Sequence, residues 1–176
     1  MAFADTNLLT NGSFETGDFT GWTQGGNTGY TGVTTVSGDF GYAAEDGTYF
    51  AYLGPEGSDG TLSQTFADTV GQSYLFSFWY NANGTSPSDF GASWDGIPLL
   101  SLTNWDTGGS WSNFGYLVTG TGSDTIQFNF RNDPDYDALD NASVSGVSPI
   151  PEPSSFLLMG SGLIGLAGAI RRKFRT

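Results

Sequence analysis

The sequence predicts an all-β fold: an antiparallel β-sandwich, then a proline-rich linker, then one apolar C-terminal segment read as a single transmembrane helix. Three observations carry this reading. Short segments alternate apolar and polar residues with a period of two. Glycine-led turn pairs separate them. No stretch before residue 154 shows helical periodicity. Glycine supplies 27 of 176 residues and aromatics 15%, a composition suited to tight turns and pleated strands.

Taken in order, residues 1–5 (MAFAD) contain Ala2-Phe3-Ala4, the small-x-small pattern that precedes a signal-peptidase cut. They read either as the remnant of a cleavage region or as a coincidence of three common residues. Residues 6–146 form the globular unit. Within 74–80, Tyr74, Phe76, Phe78 and Tyr80 share one face, and Leu75, Ser77 and Trp79 the other. Within 125–131, Ile126, Phe128 and Phe130 oppose Thr125, Gln127, Asn129 and Arg131. Phe114, Tyr116 and Val118 alternate likewise. Further strands are expected at 31–36, 48–53, 61–66, 90–94, 97–102 and 138–144. Asn11-Gly12, Asp46-Gly47, Asn83-Gly84, Asp95-Gly96 and Gly108-Gly109 mark turns between segments. Eight or more short strands at this spacing pack as two sheets.

Residues 147–153 (VSPIPEP) hold three prolines and form an extended linker. Residues 154–170 carry no charge and, at about 1.5 Å per residue, span roughly 25 Å as a helix. A hydrocarbon core is about 30 Å thick, and basic ends can snorkel across the difference. Residues 171–176 supply Arg171, Arg172, Lys173 and Arg175 as a basic tail. Such a tail stays cytoplasmic, which places the preceding domain outside.

Composition excludes much chemistry. The chain has no Cys and no His. Disulfides, thiolate and imidazole metal ligands, and Ser-His-Asp or Cys-His catalysis are therefore absent. Hard-oxygen sites remain, which favours Ca²⁺ or Mg²⁺. The net charge is −13. Through residue 150 there are seventeen acids and one base, Arg131, which leaves −16. No nucleic acid is expected as a partner, because phosphate binding needs a basic surface. No spacing singles out a pair of catalytic carboxylates, so the chain is read as no enzyme.

The order Pro151-Glu152-Pro153, short Gly-rich apolar stretch, then Arg171-Arg172-Lys173 closely resembles the PEP-CTERM sorting signal of Gram-negative bacteria. The resemblance implies export through the inner membrane and a transient tether there. It implies recognition by a membrane-embedded exosortase, removal of the helix, and delivery to the cell surface or extracellular matrix. Ser161, Gly165 and Ala169 lie four apart, a stripe that permits close helix approach but is also common in any membrane span.

A second resemblance covers both ends of the domain and one middle strand. Asn11-Gly12-Ser13-Phe14-Glu15-Thr16-Gly17-Asp18-Phe19-Thr20-Gly21-Trp22 resembles the opening of carbohydrate-binding-module, or galactose-binding-like, jelly rolls. Asp46-Gly47-Thr48-Tyr49-Phe50-Ala51 resembles their Gly-led inner strand. Leu139-Asp140-Asn141-Ala142-Ser143-Val144 resembles their closing strand, departing from it at Asn141 and Ala142. This implies a jelly-roll-like sandwich whose first and last strands lie side by side and share a structural Ca²⁺. Glu15 and Asp140 would be its side-chain ligands, with Gly47 or Thr48 as a carbonyl donor. Trp22 would be a packing residue. The alternative is that Glu15 and Asp140 are ordinary strand-edge acids.

Asp133-Pro134-Asp135-Tyr136-Asp137 fails as an EF-hand loop, since Ala138 stands at the glycine position and Val144 at the glutamate position. It reads as a solvated acidic loop. Arg131, Gln127 and Asn129 share a polar strand face that suits the hydroxyls of an extracellular polysaccharide. Trp79, Trp94, Trp105, Trp111 or Tyr136 would then stack on a sugar ring. The competing reading gives Arg131 to an internal ion pair with Asp133, Asp135 or Asp137. The functional expectation is thus a non-catalytic surface protein that binds matrix polysaccharide, or else a purely structural matrix or filament subunit; a hydrolase is the weakest reading.

Overall fold

The structure is a computed structural model, and it describes residues 6–35 and 43–147. Ten strands follow one another: β1 (Thr23–Gly26), β2 (Thr31–Thr35), β3 (Tyr49–Leu53), β4 (Gly60–Ala67), β5 (Ser73–Asn81), β6 (Ser88–Trp94), β7 (Ile97–Thr103), β8 (Ser112–Thr119), β9 (Ser123–Asn132) and β10 (Asp137–Gly146). They build two five-stranded sheets, ordered β1-β4-β9-β6-β7 and β2-β3-β10-β5-β8. Every strand pairing is antiparallel. The fold is the all-β sandwich that the alternation predicts.

The period-two rows set the core. Phe76, Phe78 and Tyr80 of β5 face Phe90 of β6 and Ile126, Phe128 and Phe130 of β9, and all of these are buried. Phe78 and Phe128 meet edge to face at 4.9 Å, and Tyr80 stacks on Phe90 at 3.9 Å. Each such ring contributes about 1.5–3 kcal/mol through burial. Trp22 packs with Phe14 and Phe128 at one end and donates its indole N–H to Asn11 O at 3.0 Å. It is a packing residue, as the opening motif implies.

Sequence alternation misses β1. Its residues, Thr23-Gln24-Gly25-Gly26, offer no apolar face, and among the described residues it is held as a sheet edge by β4 alone. The opening segment lies along the closing strand. Leu8 N donates to Val144 O at 2.8 Å and Ala142 N to Gly12 O at 2.9 Å. Asn7 adds two side-chain bonds, to Ala142 O and from Val144 N. The chain ends of the sandwich are thus joined where the register of β10 shifts between Asp140 and Ser143.

Among the described residues no helix is long and apolar enough to cross a membrane. The expected span at 154–170, the sorting residues Pro151, Glu152, Pro153, Arg171, Arg172 and Lys173, and the Ala2-Phe3-Ala4 pattern lie outside the described residues.

Candidate functional site

Glu15 and Asp140 converge on one turn from opposite ends of the domain. Glu15 Oε1 accepts the N–H groups of Thr48 and Tyr49, both at 2.8 Å. Asp140 Oδ2 accepts those of Glu45 at 2.8 Å and Asp46 at 3.3 Å, while its Oδ1 accepts from Asn141 N at 2.6 Å. Asn141 also donates its side-chain amide to Glu45 Oε2 at 3.0 Å. Gly47 has a φ of +67°, and a Cβ there would overlap the Glu15 carboxylate. Thr48 and Gly47 enter this geometry through their N–H groups, to Glu15 and to Asp46 Oδ1.

Strand alternation explains why Asp140 is buried. Its neighbour Leu139 fills the core, so Asp140 points to the outer face of its sheet, where the segment from Glu45 roofs it completely. Burial pushes its carboxyl up to about 7; the backbone N–H bonds pull the other way, and nearby Glu45 adds to the rise. No basic side chain faces it, since Arg131, the sole base among the described residues, is held by Asp133. Glu15 and Asp140 carry hard oxygens of the kind Ca²⁺ takes, and here both carboxylates are met by backbone N–H donors. Among the described residues no group of three or more acidic side chains gathers as a metal cluster; the expected ligand set has only two carboxylates.

The second expected site lies on the outer face of the other sheet. β9 runs between β4 and β6, with Gln127 opposite Ser63 and Ser93, and Asn129 opposite Thr61 and Gly91. Beyond β6, Ser101 of β7 continues the row past Gly91. Thr65 and Thr125 share a hydroxyl bond at 2.7 Å. The result is a field of small hydroxyl and amide side chains. Arg131 sits at its end, opposite Asp89. It donates Nε–H to Asp133 Oδ2 at 2.7 Å, and its Nη2 reaches the same oxygen. This hydrogen-bonded pairing raises the guanidinium pKa further and holds the Asp133 carboxyl below its usual range. Of the three acids weighed as partners, Asp133 is the one in place. Asp135 accepts from Asn83 at 2.6 Å.

Among the described residues no ring platform joins this row. Tyr136 packs edge to face on Tyr52 of the other sheet at 5.8 Å. Trp22 and Trp94 are in the core, and Trp111 packs on Phe50 of the other sheet. Trp79 belongs to β5 of that sheet, and Trp105 is exposed in the β7–β8 connection.

Sequence reasoning misses a buried polar network at the start of β10. Asp137 Oδ2 accepts from Tyr80 OH at 2.6 Å, and its Oδ1 from Asn132 Nδ2 at 2.8 Å. Burial pushes its carboxyl up to about 7 despite both donors. The only signal for it was an acid within an otherwise apolar strand start, Asp137-Ala138-Leu139.

Residues 149–173 match the model of the PEP-CTERM protein-sorting motif. Comparison with curated proteins gives no match. The sandwich is similar to TmCBM61, solved in complex with β-1,4-galactotriose (22% identity, TM-score 0.61, covering 81% of this chain and 99% of that one). It is similar to the CBM22-1 xylan-binding domain of Paenibacillus barcinonensis Xyn10C (19%, 0.54, 85% and 100%). It is also similar to the K3 cleaved adhesin domain of Lys-gingipain from Porphyromonas gingivalis (16%, 0.59, 78% and 98%). The chain therefore carries a PEP-CTERM sorting motif beside a jelly-roll-like sandwich of the fold seen in carbohydrate-binding modules, and that motif implies an exported, cell-surface protein.

Proposed function

We propose that this chain is a non-catalytic surface protein of a Gram-negative bacterium, and that its sandwich binds extracellular polysaccharide. The observation that carries the reading is the joining of a PEP-CTERM motif at 149–173 to a carbohydrate-binding-module fold. The apolar stretch 154–170, stopped by Arg171-Arg172-Lys173, tethers the precursor to the inner membrane until exosortase removes it. The outer row of Thr61, Ser63, Ser93, Gln127, Asn129 and Ser101 supplies neutral donors and acceptors for sugar hydroxyls. Arg131, already paired with Asp133, bounds that row rather than grasping a ligand alone. A Ca²⁺ held by Glu15 and Asp140 stiffens the clasp between the two chain ends.

Among the described residues this outer row carries no aromatic side chain, and that favours a second reading as a structural matrix subunit. Affinity electrophoresis of the full chain through gels containing xylan or β-1,4-galactan decides between them. The binder is retarded, and Gln127→Ala with Asn129→Ala weakens retardation at least tenfold at unchanged melting temperature. Free migration through every polysaccharide tried overturns the binding reading.

A further inference from the structure

The two sheets leave a cleft on one side of the sandwich. β7 is terminal in one sheet and β8 in the other, so among the described residues each pairs on a single side and leaves its second backbone edge open. Between them is a cavity of about 290 Å³, lined chiefly by Trp94, Ile97, Leu99 and Val118, with Asp95 and Thr121 at its polar end. Ile97 is 65% exposed, an unusual place for a large apolar side chain on an unprotected edge. Leu117 of β8 is 74% exposed.

The polar end is strongly acidic. Thr121 donates its N–H to Asp124 Oδ2 at 3.0 Å and its hydroxyl to the other oxygen. Asp68 Oδ1 accepts from Gly122 N at 2.5 Å and Asp95 Oδ1 from Thr125 N at 2.8 Å, at positions flanking Asp124. Asp124, Asp68 and Asp95 thus each accept a backbone N–H of the 121–125 segment beside an apolar hollow, and the sole base of the described residues is engaged by Asp133.

We propose that this cleft is a docking site for an extended peptide segment of a partner protein that alternates apolar and basic side chains. The segment extends a sheet by pairing with an open edge, sinks an apolar side chain against Ile97, Leu99 and Val118, and sets a Lys or Arg beside Asp95. Charge selects this occupant over a second copy of the chain. Two copies would each bring seventeen acids and one base up to residue 150, and would oppose their own aspartate clusters.

The test is fluorescence anisotropy of labelled Lys-Val-Lys-Leu-Lys-Val-Lys titrated with the full chain, against Glu-Val-Glu-Leu-Glu-Val-Glu. The basic peptide binds and the acidic one does not. Ile97→Lys, at an exposed position, weakens binding at least tenfold, and Asp95→Asn, which keeps its acceptor for Thr125 N, weakens it about threefold. Tyr30→Lys, which adds the same charge beside β2 at the far end of the other sheet, leaves affinity within twofold. No binding, equal binding of both peptides, or indifference to Ile97→Lys overturns the proposal. So does sedimentation showing a dimer that Ile97→Lys dissolves. None of these outcomes depends on polysaccharide binding.

Discussion

Replacing Asp137 by Asn should flatten the pH dependence of stability. Asp137 is buried and accepts two hydrogen bonds, yet among the described residues it faces no cation. Its carboxyl is pushed from 3.8 to about 7 by desolvation. The folded chain therefore holds a proton that the unfolded chain releases above pH 3.8. This contribution is complete below pH 4, declines as the pH rises to 7, and is gone above it. About three pH units correspond to about 4 kcal/mol. The amide cannot ionise, but it loses one acceptor, which costs about 1 kcal/mol at every pH. Asp137→Asn is thus less stable than wild type at pH 4 and more stable at pH 8, by about 2–3 kcal/mol. Urea unfolding followed by tryptophan fluorescence from pH 4 to 8 gives the difference curve. General charge repulsion is common to both proteins and cancels. A difference independent of pH would refute the argument.

Phe128→Ala removes a ring that touches Trp22, Phe76, Phe78 and Phe90, and should cost about 3–5 kcal/mol in the same assay. Gly47→Ala forces a side chain into a left-handed φ against the Glu15 carboxylate and should cost about 1–3 kcal/mol by thermal melting. With Ca²⁺ at a hundredfold excess over its dissociation constant, EGTA should remove about 2.7 kcal/mol; an unchanged midpoint would argue against the ion. Glu15→Gln with Asp140→Asn should abolish that response. Neutralising Arg171, Arg172 and Lys173 with Gln should abolish surface delivery, read by fractionation and immunoblotting.

Much of the fold is legible because burial imposes a period of two. The rows Phe76-Phe78-Tyr80 and Ile126-Phe128-Phe130 mark the inner faces of both sheets before any contact is known. β1 escapes because an edge strand ending in Gly25-Gly26 needs no apolar face. The Gln127-Asn129-Arg131 face is visible by the same alternation, but which strands flank it is a matter of topology. Asp137 and Asp140 look like solvated acids in the sequence. Only the roof from Glu45 and the inward approach of Tyr80 and Asn132 bury them. The cleft beside Trp94-Asp95-Gly96-Ile97 reads as nothing more than a hairpin turn until β8 is placed next to β7.

Intact-mass analysis of the chain recovered from the cell surface tests the central claim most directly. Export followed by exosortase processing predicts a surface form lacking the apolar stretch 154–170, with the full-length precursor confined to the inner membrane. An intact 176-residue chain in the soluble cytosol, with none at the surface, would contradict it.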